Sequence, residues 1–319
     1  MKILANDGIS VEGIEKLESA GFTVRTDKVA QNDLVKVINE DNYVALLVRS
    51  ATTVRKELID QCPGLKFIGR GGVGMDNIDV AYAREKGLVV ENTPAASSQS
   101  VAELVMGSLF AVSRFLYDAY QQMPKCGDSD FKALKKQYGK GVELKGKTLL
   151  IVGFGRIGQS LASYALGVGM KVVAVNRSKE KIDIPIDIHG VGRINAEVES
   201  TNDLHSVIGE ADFISLHVPM QEDGSAVIGS KEFELMKDGV RIVNAARGGV
   251  VDEGALLKAL NDKKVAHIAL DVYENEPNPR KDLLDHSQTA CTPHIGAATV
   301  EAQARIGIEL ADKIIATLK

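Results

Sequence analysis

The feature that most constrains the fold is a double series of alternating strands and helices. In the first series, apolar runs such as KILAN, YVALLV and LKFIG are separated by helix-like segments such as TTVRKELIDQC. The second series begins at KTLLIVGFG and continues through KVVAV, ADFISLHVP, GVRIVNAA, VAHIALDVY and TACTP. This alternation predicts an α/β protein with parallel sheets covered by helices. At 319 residues, the chain has room for about two such domains.

A long amphipathic stretch, SQSVAELVMGSLFAVSRFLYDAYQQM, separates the two series. It opens with Ser100-x-x-Glu103, a pattern that predicts a capping box and a helix beginning at that point. The lysine-rich stretch 125–147 is expected to be an exposed loop. We expect the two α/β units to join near 95–100 and again near 290–296. The last segment, TVEAQARIGIELADKIIATLK, is expected to form a helix of about five turns.

Composition argues against several function classes. The net charge of −5 gives no basic surface for nucleic acid. No run of about 18 apolar residues could span a membrane, and the start, MKILANDGIS, turns polar too early for a signal peptide. The cysteines, Cys62, Cys126 and Cys291, are far apart and show no metal-binding spacing. We therefore expect reduced thiols, no metal and a cytoplasmic protein.

A glycine-rich turn in the second series predicts a dinucleotide site. Gly153-x-Gly155-x-x-Gly158 follows the apolar strand ending at Val152 and opens a helical segment at Arg156. Glycines allow backbone N–H groups to approach a pyrophosphate, and the helix N-terminus favours the anion. A turn that only packs the strand on the helix is the alternative, but the flanking βαβ context favours the dinucleotide.

The end of the next strand leaves the cofactor open between NAD and NADP. An Asp or Glu that accepts hydrogen bonds from the adenosine ribose is expected about 20 residues after the glycine turn. Here Asn176 is followed by Arg177 and Ser178. Asparagine lacks the charge that would repel a 2′-phosphate, and arginine can pair with one, so this segment favours NADP. The alternative is that Arg177 is a solvated surface charge.

Three late strands end in polar residues that suit redox chemistry on a 2-hydroxy acid. Arg247 follows GVRIVNAA, Asp271 and Glu276 follow VAHIAL, and His294 follows TACTP. A histidine can take a hydroxyl proton, a carboxylate beside it can orient the ring, and an arginine can hold a substrate carboxylate. Each residue alone could be structural, and the other five histidines are expected to be. Those are His189, His205, His217, His267 and His286.

The first series contains a second candidate anion site. Gly71-Gly72-Val73-Gly74 follows the strand LKFIG, with Arg70 at its edge, and Arg49 ends the strand YVALLV. Two arginines beside such a turn fit a substrate that carries both a carboxylate and a phosphate. Structural ion pairs are the alternative for each arginine.

These motifs together resemble the D-2-hydroxyacid dehydrogenase family, and within it the D-3-phosphoglycerate dehydrogenase branch most. The resemblance rests on VRSATTV, IGRGGVGMDNID, VENTP, GKTLLIVGFGRIGQ, VNAARGGVVDEGALLKAL, ALDVYENEP and TPHIGAAT, in that order. It implies two doubly wound parallel-sheet domains, with a Rossmann dinucleotide-binding domain (96–295) inserted into a flavodoxin-like substrate-binding domain (1–95 and 296–319). It also implies a homodimer formed through the dinucleotide-binding domain.

The resemblance assigns roles by motif. His294 is similar to the family's acid/base, Glu276 to its carboxylate partner and Arg247 to the arginine that holds the substrate carboxylate. Asp271 is similar to the residue that contacts the nicotinamide carboxamide. Gly72 and Val73 would offer amides to the substrate, while Arg49 and Arg70 would face its phosphate. The expected cofactor-binding residues are Gly153, Gly155, Arg156, Ile157, Gly158, Asn176, Arg177, Val218, Ala245, Asp271, His294, Gly296 and Ala297.

Two departures qualify the family reading. Asn176 replaces the family's usual aspartate, so NAD is expected but NADP stays open. The sequence also lacks the serine-sensing domain of longer relatives, so feedback control by that route is expected to be absent. The first hypothesis is oxidation of 3-phospho-D-glycerate to 3-phosphohydroxypyruvate. The second is an NADPH-dependent glyoxylate or hydroxypyruvate reductase, and the third is a dinucleotide-sensing scaffold.

Overall fold

The computed structural model describes all residues from Met1 to Lys319, and it contains thirteen strands. In chain order they are β1 (Lys2–Ala5), β2 (Thr23–Arg25), β3 (Tyr43–Val48), β4 (Phe67–Arg70), β5 (Val89–Asn92), β6 (Thr148–Val152), β7 (Lys171–Val175), β8 (Lys181–Ile188), β9 (Gly192–Thr201), β10 (Phe213–Leu216), β11 (Val240–Asn244), β12 (Val265–Leu270) and β13 (Thr289–Cys291).

Thirteen α-helices connect and cover these strands. They are α1 (Val11–Ser19), α2 (Leu34–Glu40), α3 (Lys56–Gln61), α4 (Val80–Glu85), α5 (Ser98–Arg114), α6 (Leu116–Cys126), α7 (Phe131–Tyr138), α8 (Arg156–Gly167), α9 (Leu204–Val207), α10 (Ser230–Leu235), α11 (Glu253–Asn261), α12 (Lys281–Leu284) and α13 (Val300–Leu318). No single helix could span a membrane, although α5 and α6, a pair bent by 59°, together meet the length and composition test for a span.

The chain forms two compact units. The N-terminal unit comprises Met1–Ser100 and Ala297–Lys319, and the central unit comprises Val101–Gly296. The N-terminal unit contains a five-stranded parallel sheet in the order β2-β1-β3-β4-β5. This is the flavodoxin-like strand order, as expected from the sequence.

Helix α13 returns the C-terminus to the N-terminal unit. It packs against α1 so closely that a Cβ on Gly13 would lie 2.8 Å from the Gly307 carbonyl oxygen. On the sheet side, Ala311 and Ile314 are fully buried in the same apolar cluster as Ile3. The two glycines therefore allow the helices to pack backbone against backbone, which brings the apolar face of α13 onto the sheet.

The central unit contains an eight-stranded sheet in the order β13-β12-β11-β10-β6-β7-β9-β8. Every pairing is parallel except that of β8 with β9, which form an antiparallel hairpin at one edge. Strands β9, β7, β6, β10, β11 and β12 reproduce the Rossmann order, so the predicted doubly wound fold is confirmed. The hairpin was not predicted.

Two local predictions were wrong. Helix α5 begins at Ser98, so Ser100 lies inside the helix; its hydroxyl is 2.6 Å from that of Thr299. The stretch 125–147 is not a continuous loop, because it contains α7, with Leu134 buried. The hydroxyl of Tyr138 also donates to Asp118 Oδ2 on α6 (2.8 Å), which fixes one helix against the other.

Candidate functional site

The glycine turn after β6 forms the base of the candidate dinucleotide site. Gly153 has φ +95°, and a Cβ there would lie 2.5 Å from the His217 carbonyl oxygen. A Cβ on Gly158 would lie 2.5 Å from the Gly153 carbonyl oxygen, whereas one on Gly155 would meet no atom within 4 Å. Gly153 and Gly158 thus permit close packing, while Gly155 leaves the backbone open to a ligand.

Helix α8 directs its N-terminus toward this open turn. No side chain caps its first amides, and both Gly155 and Arg156 are exposed. Free N–H groups at a helix N-terminus bind phosphate well. The turn, with Ile157 half-buried in the first helical turn, therefore fits the pyrophosphate of a dinucleotide.

Other predicted cofactor residues follow neighbouring parallel strands. Val218 comes after β10 and lies beside the glycine turn, because its Cγ1 would be 2.8 Å from a Cβ on Gly153. Ala245 follows β11 directly and is half-buried. Since β6, β10 and β11 are parallel, these residues lie at the carboxyl edge of the sheet, where ligands bind in such folds.

The end of β7 differs from the sequence expectation in one respect. Asn176 is half-buried and Arg177 is exposed. The Asn176 side-chain amide donates to Glu180 Oε1 at 3.1 Å. Glu180 was not predicted from the sequence, where the only available signal was an acidic residue four positions after Asn176.

His294 and Glu276 form the central pair of the candidate active site. His294 Nδ1 lies 2.7 Å from Glu276 Oε2, and the two side chains are 40% and 36% exposed. Glu276 Oε1 accepts a hydrogen bond from the Tyr273 backbone N–H at 3.0 Å. The carboxylate is therefore fixed at one oxygen and orients the imidazole with the other. This arrangement leaves Nε2 of the ring for proton exchange.

Asp271 stabilises the turn that carries His294. It is 4% exposed, and its carboxylate accepts from the backbone N–H groups of Ile295 and Gly296, both at 2.8 Å. The Thr292 hydroxyl donates to it at 2.6 Å. Three donors thus compensate for burying this carboxylate. The nicotinamide contact expected of Asp271 stays a prediction.

Arg247 lies in the loop after β11, which packs against the segment leading to Glu276. The Asn244 side chain shapes this loop, since it donates to the Arg247 carbonyl (3.1 Å) and accepts from the Ala246 N–H (3.1 Å). A Cβ on Gly248 would lie only 1.8 Å from the Tyr273 carbonyl oxygen. The central unit therefore brings the loops of Arg247 and Glu276 into direct contact.

The buried carboxyl group of Glu253, which was not predicted from the sequence, links α11 to the segment that leads to Glu276. Glu253 is 3% exposed, and burial raises the pKa of its carboxyl group. The N–H of Glu253 donates to Glu274 Oε1, and the N–H of Glu274 donates to Glu253 Oε1, both at 2.9 Å. This reciprocal pair fixes the start of α11 to the loop that carries Glu276.

In the N-terminal unit, Arg49 and Arg70 lie at the carboxyl ends of adjacent strands. Arg70 pairs in register with Val48, the residue before Arg49. The Arg49 backbone is held by Asp7 Oδ2, which accepts its N–H at 2.7 Å, and by the Asn77 amide, which donates to its carbonyl at 2.8 Å. The Arg70 guanidinium crosses the next turn, where a Cβ on Gly72 would lie 1.7 Å from its Nη1.

The two predicted amide donors in the turn after β4 differ in the hydrogen bonds that they make. The Gly72 N–H donates to the Thr93 hydroxyl at 2.8 Å, so in this structure it is engaged within the chain, and its contact with a substrate stays a prediction. Val73 is 39% exposed, and its N–H makes no backbone hydrogen bond. Gly72, at φ +139°, therefore shapes the turn, and Val73 is left as the candidate donor. Ala297, also in this unit, accepts a hydrogen bond from Gln303 at its carbonyl.

Comparisons with known proteins identify the family. Residues 106–296 match the NAD-binding domain of the D-isomer specific 2-hydroxyacid dehydrogenases. The chain is 42% identical to hydroxypyruvate reductase of Thermotoga maritima, covering 99% of this chain and 98% of that protein. It is 39% identical to D-3-phosphoglycerate dehydrogenase of Methanocaldococcus jannaschii, covering all of this chain but 58% of that protein.

A solved structure supports the same assignment. The glyoxylate reductase from Paecilomyes thermophila superimposes with a TM-score of 0.81 and 29% identity, covering 98% of this chain and 94% of that one. Sequence and fold therefore agree along nearly the whole chain. The chain belongs to the D-isomer specific 2-hydroxyacid dehydrogenases, a family of oxidoreductases that use NAD(P).

Proposed function

We propose that this chain oxidises 3-phospho-D-glycerate at its C2 hydroxyl to give 3-phosphohydroxypyruvate. The observation that carries the substrate choice is the pair of arginines at the ends of β3 and β4. A phosphate dianion needs more than one cationic donor, and guanidinium groups bind it with paired hydrogen bonds. Arg49, Arg70 and the Val73 amide supply such donors in the N-terminal unit, which is the proposed substrate-binding domain.

The central unit supplies the reacting groups. His294 accepts the C2 hydroxyl proton at Nε2, and the charge of Glu276 stabilises the imidazolium that results. Arg247 holds the substrate carboxylate. NAD(P), when bound, supplies the hydride acceptor. Its pyrophosphate is held by the turn from Gly153 to Gly158.

The rest of the predicted cofactor set is proposed to line the same site. Val218 and Ala245 contact the bound dinucleotide from the ends of β10 and β11. Asp271, Gly296 and Ala297 form its nicotinamide end. Asn176 and Arg177 belong to the adenosine end.

A hydroxypyruvate or glyoxylate reductase is the second candidate, favoured by the 42% identity to the Thermotoga maritima protein. Hydroxypyruvate lacks the phosphate, so the two candidates differ in what Arg49 and Arg70 bind. The same catalytic pair would serve both, because the family reaction is reversible hydride transfer at C2.

The proposal also covers the oligomeric state and the cellular location of the chain. The chain pairs as a homodimer through the central unit. Support comes from large apolar side chains that stay exposed on α5, α6 and α7, namely Phe110, Tyr120, Met123 and Phe131. The three free cysteines support a reducing compartment such as the cytoplasm.

Initial rates test the substrate. Reduced cofactor is followed by its absorbance with 3-phosphoglycerate and either NAD or NADP, and its consumption is followed with hydroxypyruvate or glyoxylate. Turnover of 3-phosphoglycerate supports the proposal. Turnover of hydroxypyruvate or glyoxylate alone would replace it with the second candidate.

Arg49→Gln provides a sharper test of the phosphate contact. Losing one charge-assisted hydrogen bond should lower kcat/KM about tenfold to hundredfold with the phosphorylated substrate. The effect with hydroxypyruvate should be under about threefold, since no phosphate is present to lose a partner. Lys36→Gln, which removes a positive charge from the exposed surface of α2, is the control. Equal losses with both substrates would contradict the phosphate role.

A further inference from the structure

In the segment after β7, a carboxylate lies beside the asparagine that follows the strand. Glu180 Oε1 accepts hydrogen bonds from the Asn176 side-chain amide at 3.1 Å and from the Ser178 hydroxyl at 2.8 Å. The Asn176 backbone continues β7, because its N–H donates to the Thr201 carbonyl at 2.9 Å. Glu180 is thus bound to the residue that occupies the strand end.

Strand β9 holds this arrangement in place. Ser200 is 1% exposed, and its hydroxyl donates to the Ser178 carbonyl at 3.0 Å and accepts from the Glu180 N–H at 3.2 Å. The Ser200 N–H donates in turn to the Glu180 carbonyl at 2.9 Å. The backbone of Glu180 is therefore fixed by a buried side chain, even though its carboxylate is exposed.

We infer that Glu180 accepts hydrogen bonds from the adenosine ribose hydroxyls, so that this chain selects NAD over NADP. The inference rests on the proposed dinucleotide site. The carboxylate engages only one oxygen within the chain, which leaves the other to accept ribose hydroxyls. It supplies the acidic group that Asn176 lacks, four residues further along the chain.

The same contacts disfavour a 2′-phosphate. Asn176 and Ser178, which could donate to a phosphate, already donate to Glu180. A phosphate dianion would also be repelled by the carboxylate at short range. Arg177 is the opposing group: it is exposed and could attract the phosphate. The structure thus sets Glu180 against Arg177, and the two predict opposite cofactor preferences.

Binding of cofactor fragments that lack the nicotinamide distinguishes the roles of Glu180 and Arg177. Isothermal titration calorimetry on the full chain compares ADP-ribose with its 2′-phosphorylated form, for the wild type, Glu180→Gln and Arg177→Gln. The wild type should bind ADP-ribose at least about tenfold more tightly, and Glu180→Gln should reduce this preference to within about threefold. The control is Glu197→Gln, which removes an equal charge from the neighbouring strand β9, where Glu197 pairs with Lys181. It should leave the preference unchanged.

Three results would overturn the inference. One is tighter wild-type binding of the 2′-phosphorylated ligand that is lost in Arg177→Gln, since Arg177 would then set the preference. Another is an unchanged preference in Glu180→Gln. The third, binding of neither ligand, would remove the dinucleotide site as well. The binding constants do not depend on turnover. If the chain fails to oxidise 3-phosphoglycerate, that result would therefore count against the proposed substrate alone.

Discussion

His217, half-buried beside the glycine turn, should make the chain sensitive to acid. It lies just after β10, where Nε2 is 2.8 Å from the Ser215 hydroxyl and Nδ1 is buried without a hydrogen-bond partner. Desolvation of the ring by the surrounding protein penalises the imidazolium and lowers the pKa of His217 to about 4, from an ordinary value of 6.5. The folded state therefore keeps this ring neutral in a pH range where the unfolded chain would protonate it.

The sign and size of the effect follow from this difference. As pH falls below 6.5, the unfolded state binds a proton that the folded state does not bind. The free energy of unfolding therefore decreases until the pH approaches 4. At pH 4.5 the unfolded histidine is almost fully protonated and the folded one mostly neutral, which corresponds to a loss of about 2.5 kcal/mol. Above pH 7 both states carry a neutral ring, and the effect disappears.

His217→Gln removes the titrating group while retaining an amide that can bond to Ser215. We expect the free energy of unfolding, measured by urea denaturation with circular dichroism, to fall less in the variant between pH 7.5 and 4.5, by about 2 kcal/mol. Because each protein is compared with itself at the two pH values, any pH-independent change in unfolding free energy caused by the substitution cancels. His189→Gln, at the exposed tip of the β8–β9 hairpin, is the control. Parallel pH dependences for wild type and His217→Gln would refute the reasoning.

Two further substitutions test the central unit. Glu276→Gln should lower kcat about tenfold to hundredfold in initial-rate assays and leave dinucleotide binding unchanged, because an amide still reaches His294 but carries no charge; an unchanged kcat would exclude the pairing role. Gly248→Ala forces a Cβ to within 1.8 Å of the Tyr273 carbonyl oxygen, so it should cost about 2 kcal/mol of unfolding free energy and lower kcat as well. Gly167→Ala, whose Cβ would meet nothing within 4 Å, should do neither.

The positions of the candidate catalytic residues could be predicted from the sequence because strand ends determine where they lie. In a parallel sheet, the residues that follow neighbouring strands meet at one edge whatever the loops do. The pairing of His294 with Glu276 at 2.7 Å agrees with this rule, as does the contact between the Arg247 loop and Tyr273. Helix α7 escaped prediction because its eight residues bury only Leu134, so its stability comes from α6 and not from its own pattern.

The segment after β7 shows why the remaining contacts could not be predicted from the sequence. The alternation in KIDIPIDI is a strand signal, although Pro185 within it favours only an edge strand, which β8 is. Recognising the hairpin would still not have located Glu180, whose position depends on Ser200, twenty residues away on β9. The dinucleotide-binding motif specifies an acidic residue at one position, the end of the second strand. A carboxylate can also reach that region from the loop that follows the strand. A missing aspartate at a strand end is therefore evidence about cofactor choice only after the neighbouring acidic side chains have been located.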